Sequence, residues 1–149
     1  MTDARTFKYR TNLARKMSAP GGRTVADAVI RAEAGVERHR GAAMASVHET
    51  LAALEAAVAA RGEGGQRVYD LAASMLDMAG YFDTGPLHGA MFSLCELGSR
   101  MIEAGRWDWP PVEVHVRALR VILDDDCRDT EGSRAVLDGL AMLVRKAAR

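Results

Sequence analysis

The run Val68-Tyr69-Asp70-Leu71-Ala72-Ala73-Ser74-Met75-Leu76-Asp77-Met78-Ala79-Gly80-Tyr81-Phe82 decides how the rest of the chain is read. Val68, Leu71, Ala72, Met75 and Ala79 recur at three- and four-residue steps, which places them on one face of a helix starting near Gln66. The run shows no two-residue alternation of the kind a half-buried strand requires. Gly80 follows the last apolar position and reads as the helix stop.

Working outward, Asp83-Thr84-Gly85-Pro86 is a helix-start signature, with proline in the first turn. A helix is expected from there to about Ala104, carrying Leu87, Met91, Leu94, Gly98 and Met101 in register and ending at Gly105. Trp107 to Pro111 reads as a turn with aromatic plugs. The next helix is expected from Pro110 to about Asp124, with Val112, Val116, Leu119 and Leu123 inward. Asp124 to Gly132 reads as a polar connection. A last helix is expected from Ser133 onward, burying Val136, Leu137, Leu140, Leu143 and Val144. Upstream, Val25 to Arg61 has no proline and much alanine, with a stripe at Met44, Val47, Leu51, Leu54 and Val58. Gly35 and Gly41 are the positions where that segment would bend or divide. Thr24, with Asp27 three residues on, reads as its N-cap. Short connections between helices of several turns imply antiparallel neighbours. The expected fold class is therefore all-α, an up-down antiparallel four-helix bundle with an additional helix.

The bulk numbers agree with one folded domain. The 149 residues are 48% apolar and 27% charged, and the formal net charge is zero. Nothing global therefore attracts a polyanion, and nucleic acid is not an expected partner. Residues 1–23 differ, carrying Arg5, Lys8, Arg10, Arg15, Lys16 and Arg23 against Asp3 alone. They read as a flexible basic N-terminal arm, and 24–149 as the bundle. Cys95 and Cys127 form neither a metal motif nor a disulfide framework, and Cys95 reads as a small core residue. With no secretory leader pattern and no long apolar run, a cytoplasmic location is expected, with no membrane partner.

The Val68–Phe82 run, followed by Pro86-Leu87-His88 and Phe92-Ser93-Leu94-Cys95, resembles the central helices of histidine phosphotransfer (HPt) proteins, especially a group from alphaproteobacteria. The shared positions are Tyr69, Asp70, Leu71, Ala72, Gly80 and Phe82, then Ser93, Leu94 and Cys95. Glu113–Leu123, Leu137–Leu140 and Arg31–Ala34 extend the resemblance over most of the chain past residue 24. It implies an HPt-type bundle and a partner that is a response-regulator receiver domain or a histidine kinase in a two-component phosphorelay.

The departures from that pattern remove its chemistry. In the family's register the phosphorylated histidine falls on Ala73, which has no imidazole to accept a phosphoryl group. The lysine three residues later is Leu76, which cannot hold phosphoryl oxygens. The following glycine is Asp77, whose charge would face a receiver pocket that is itself acidic. No histidine lies between His48 and His88, so no shift of register restores the site. The resemblance thus implies no catalytic residue and no enzyme, with docking retained through Tyr69, Ala73, Leu76, Asp77 and Gly80. The competing placement for Leu76 is against the neighbouring long helix.

Other chemistry finds little footing. His39 and His48 are nine residues apart, not four, and make no metal pair on one helix face. No metal or cofactor is expected. His115 matches a histidine usual in the resembling group and reads as structural. Arg120–Asp126 looks like the first strand and acidic pocket of a receiver, but only twenty-three residues follow Asp126. Asp124, Asp126 and Asp129 lack the glycine and glutamate of a calcium loop, and read as a solvated loop. Two alternatives to a non-catalytic HPt-like binding protein stand open. One is an active phosphotransferase using His88 or His115, and the other is a helical interaction or oligomerisation module outside phosphosignalling.

Overall fold

The alanine-rich, proline-free sequence after Thr24 forms one uninterrupted helix in the computed structural model, which describes residues 12–17, 19–21, 24–62 and 65–147. Every regular element among them is helical. In chain order these are α1 (Asn12–Met17), α2 (Val25–Ala60), α3 (Gln66–Ala79), α4 (Pro86–Glu103), α5 (Trp109–Asp124) and α6 (Glu131–Ala147). The chain divides into two units, the first ending at Gly35 and the second beginning at Val36.

In the first unit, α1 lies inside the segment read as a flexible arm. Its sequence, Asn-Leu-Ala-Arg-Lys-Met, is mostly good helix formers, which accounts for a helix the apolar pattern did not signal. Residues 1–11, 18, 22 and 23 of that segment lie outside the described residues. The start of α2 is a reciprocal cap. The Asp27 amide donates to Thr24 Oγ1 at 3.1 Å, and the Thr24 amide and hydroxyl both donate to the Asp27 carboxylate. Those Thr24 bonds hold the Asp27 carboxyl below the usual carboxylate range. Gly35, the last residue of this unit, and Gly41 of the second unit, both read as points where the segment would bend or divide, are helical. A glycine costs a helix only about 1 kcal/mol relative to alanine, too little to break one this long.

In the second unit α4 is the central element, packed against α3, α5 and α6, while α5 also meets α6. The core takes Leu51 and Leu54 from α2, Met75 from α3, Leu87, Met91, Leu94 and Leu97 from α4, Leu119 from α5 and Leu140 from α6. Arg120 of α5 grips Glu55 of α2 through two bonds of 2.9 and 2.8 Å, and that guanidinium lowers the Glu55 carboxyl.

The turns explain themselves locally. Gly65 is buried against the Trp107 ring, and a methyl group there would stand 1.9 Å from ring carbons. Gly85 has φ +52°, a conformation side chains resist, and lies beside the Cys127 carbonyl. α6 begins two residues before the expected Ser133. Thr130 is its cap, exchanging bonds with Ser133, so the serine belongs to the first turn. Gly80 ends α3 with φ −65°, so its amide, bonded to the Leu76 carbonyl, simply closes the last turn without the left-handed geometry typical of a glycine stop. Among the described residues no helix is long and apolar enough to cross a membrane.

Candidate functional site

The buried face of α3 is Val68, Ala72, Met75 and Ala79. One residue further round the helix lies a second stripe, Tyr69, Ala73, Leu76 and Gly80, and beyond it Asp77. Tyr69, Ala73 and Leu76 are half-buried, whereas Asp77 and Gly80 are exposed. All five expected docking residues therefore reach the surface side of a single helix, because positions offset by one from a buried stripe turn about 100° away from it.

α4 completes this surface. Tyr69 and Leu76 line a shallow groove together with Phe92, Cys95, Ser99 and Glu103 of α4. α3 and α4 approach closely because Gly98 has no side chain: a methyl group there would sit 3.3 Å from the Tyr69 ring. Leu76 thus faces the α4 side of α3 rather than standing free, while its inner edge packs against the core. Phe92 is 56% exposed and leaves much of a large apolar ring open to solvent. Burial, with the charge of Asp77 adding to it, pushes the Cys95 thiol up to about 11, so it stays protonated and a poor nucleophile. Arg100 and Glu96 pair at 2.5 Å along the outer edge, and Ser99 Oγ donates to Glu103 at 3.1 Å.

The histidines are placed very differently. His39, His48 and His88 are exposed. His115 on α5 has 0% exposure and both ring nitrogens are engaged. Nε2 meets Ser93 Oγ of α4 at 2.9 Å, and Nδ1 meets the Pro111 carbonyl at 2.7 Å. A carbonyl accepts only, so Nδ1 carries the proton, and Nε2 accepts the Ser93 hydroxyl. Burial lowers the pKa of this ring, and the Pro111 bond partly offsets that shift. Among the described residues no three His, Cys, Asp or Glu side chains gather as a metal site would need.

Phe92, Ser99 and Glu103 were not among the residues expected to form the site. Phe92 did carry a signal: with Leu97 and Ile102 it is one of three large apolar residues on its helix that fall outside the Leu87–Met91–Leu94–Gly98–Met101 register. Ser99 and Glu103 carried none, since a polar residue on an outer helix face is the ordinary case. No family model matches the chain, and no curated protein or solved structure matches it either.

Proposed function

We propose that this chain is a non-catalytic, HPt-like signalling protein that binds a response-regulator receiver or a histidine kinase through the outer stripe of α3. On this reading the helices form an up-down four-helix bundle of HPt type with one helix added. The observation that carries it is the placement of residue 73. The position where the resembled family has its phosphohistidine lies on the surface side of α3, between Tyr69 and Leu76 of the groove, and it holds alanine. A docking face needs an apolar centre and a polar rim. Tyr69, Leu76 and Phe92 provide the first, and Asp77, Glu103 and the Arg100–Glu96 pair provide the second. Without an imidazole the protein acts by occupancy, competing for a partner surface rather than passing on a phosphoryl group.

The test is calorimetric titration of the full chain with a panel of purified receivers and kinase dimerisation fragments. At least one is expected to bind, with affinity lost in Leu76→Glu, and without acid-labile phosphate appearing on this chain when the receiver is phosphorylated. Absence of binding across the panel points to a helical module outside phosphosignalling. Acid-labile phosphate that disappears in His88→Ala identifies a phosphotransferase with a displaced histidine.

A further inference from the structure

Phe92 stands between two grooves of opposite character. The groove on its α6 side is bordered by Arg100 and Arg145, with Glu96 as its one acid. On the α3 side the Arg100–Glu96 pair is self-neutralising, which leaves Glu103 as the remaining charged lining residue; Asp77, exposed on α3, does not line the groove but stands near enough to act on Cys95, which does. These two lie at opposite ends. Tyr69 stands beside Gly98, and Leu76 shares the groove with Phe92, so α3 and α4 run in opposite directions along it. Asp77 therefore belongs to the Phe92 end and Glu103 to the Tyr69 end. Phe92 and Glu103 are eleven positions apart on one helix, about 16 Å at 1.5 Å per residue.

We propose that this α3–α4 groove receives a short amphipathic helix of the partner, about three turns long, whose apolar stripe covers Tyr69, Leu76 and Phe92 and whose terminal lysines or arginines meet Asp77 and Glu103. This rests on the reading of α3 as the docking face and names the element that face recognises. Charge complementarity selects the occupant. An apolar strip between two carboxylates matches a cationic helix laid in a groove. The acidic pocket of a receiver would instead meet Asp77 with like charge.

The experiment is a titration of isotope-labelled full chain, followed by nuclear magnetic resonance. The probes are a fourteen-residue amphipathic helical peptide of leucine and lysine and its leucine–glutamate counterpart. The lysine peptide is expected to shift the resonances of Tyr69, Leu76, Phe92 and Ser99 while leaving Leu137 and Arg145 unmoved, and the glutamate peptide to have no effect. Asp77→Lys with Glu103→Lys, checked for intact helicity, should weaken the lysine peptide by about tenfold or more and admit the glutamate peptide. The proposal is overturned if both peptides bind alike, if the lysine peptide maps elsewhere, or if the charge-reversed variant binds it undiminished. A parallel titration with a receiver or kinase fragment separates the two claims. A fragment that loses affinity in Leu76→Glu but not in the charge-reversed variant keeps the docking face and removes the cationic helix. A fragment indifferent to Leu76→Glu removes the docking face itself.

Discussion

Ala73 on α3 and His115 on α5 stand on two helices that both pack against α4, and they make opposite use of their positions. Ala73 is half-buried between Tyr69 and Leu76, at the place where, on the proposed reading, an HPt protein carries its nucleophile. His115 has an imidazole but no access to solvent, and it uses one nitrogen on Ser93 and the other on Pro111. A histidine becomes a phosphoryl acceptor only when one nitrogen is free and faces the donor. The comparison therefore separates two tasks that a single residue type can perform. On this chain the imidazole that locks α4 to α5 is present, and an imidazole that could react at the α3 face is absent.

The interior member of the pair gives the largest expected effect. His115→Ala removes a buried ring and leaves the Ser93 hydroxyl without its imidazole partner, while the Pro111 carbonyl keeps the helical bond from the residue-115 amide. Cavity and unpaired-group costs together come to about 3 kcal/mol. Urea unfolding followed by circular dichroism measures this. A loss below about 1 kcal/mol would mean that the Ser93–His115–Pro111 chain does not hold the two helices together.

A smaller effect follows from acidity at the same residue. Burial lowers the pKa of His115 in the folded state, so the folded chain resists a proton that the unfolded chain accepts. Stability from this ring is complete above the ordinary imidazole value of about 6.5 and declines as pH falls below it, towards the lower folded value. The unfolding midpoint should drop from pH 7.5 to pH 5.5, by more in the native chain than in His115→Gln. The glutamine keeps one donor and one acceptor but does not titrate. Equal slopes for the two proteins would place the acid sensitivity elsewhere.

These two positions also show how far the sequence could be read. The bounds of α3, α4 and α5 follow from apolar spacing and from punctuation by Gly65, Gly80, Pro86 and Pro110, all of which are local signals. The outward turn of Tyr69, Ala73 and Leu76 is equally local, because it needs only their offset from Val68, Ala72 and Met75. What joins helices was not legible in that way. Ser93 and His115 are twenty-two residues apart, and their meeting depends on how α4 and α5 are rotated about their own axes. The same holds for Phe92 and Leu76, whose shared groove exists because Gly98 lets two backbones approach. The start of α6 was placed two residues late because Thr130, read as loop, caps it through Ser133, read as its first residue.

On the outer face the expected stability effects shrink while the binding effects grow. Leu76 is half-buried, so Leu76→Ala should cost about 1 kcal/mol in urea unfolding, well below the 2–5 kcal/mol of a fully buried leucine. Its affinity for a bound receiver or kinase fragment should fall by about tenfold if the side chain sits at the centre of the contact. A cost near that of a core leucine, with binding unchanged, would assign Leu76 to the interior and break the contrast with His115.

The smallest expected effect on folding is the most informative about function. Ala73→His places an imidazole on the surface side of α3, where a substitution shifts stability by no more than about 0.5 kcal/mol. With Leu76→Lys and Asp77→Gly added, the three features of the resembled motif that this chain lacks are restored together. The triple variant, incubated with a phosphorylated receiver that binds the native chain, is expected to acquire acid-labile phosphate, whereas the native chain does not. Ala73→His alone is expected to acquire less, since Asp77 remains to repel the incoming phosphoryl group. If a receiver binds the triple variant and leaves no phosphate on it, residue 73 does not face the receiver's aspartate, and the contrast between a lost nucleophile and a retained lock no longer holds.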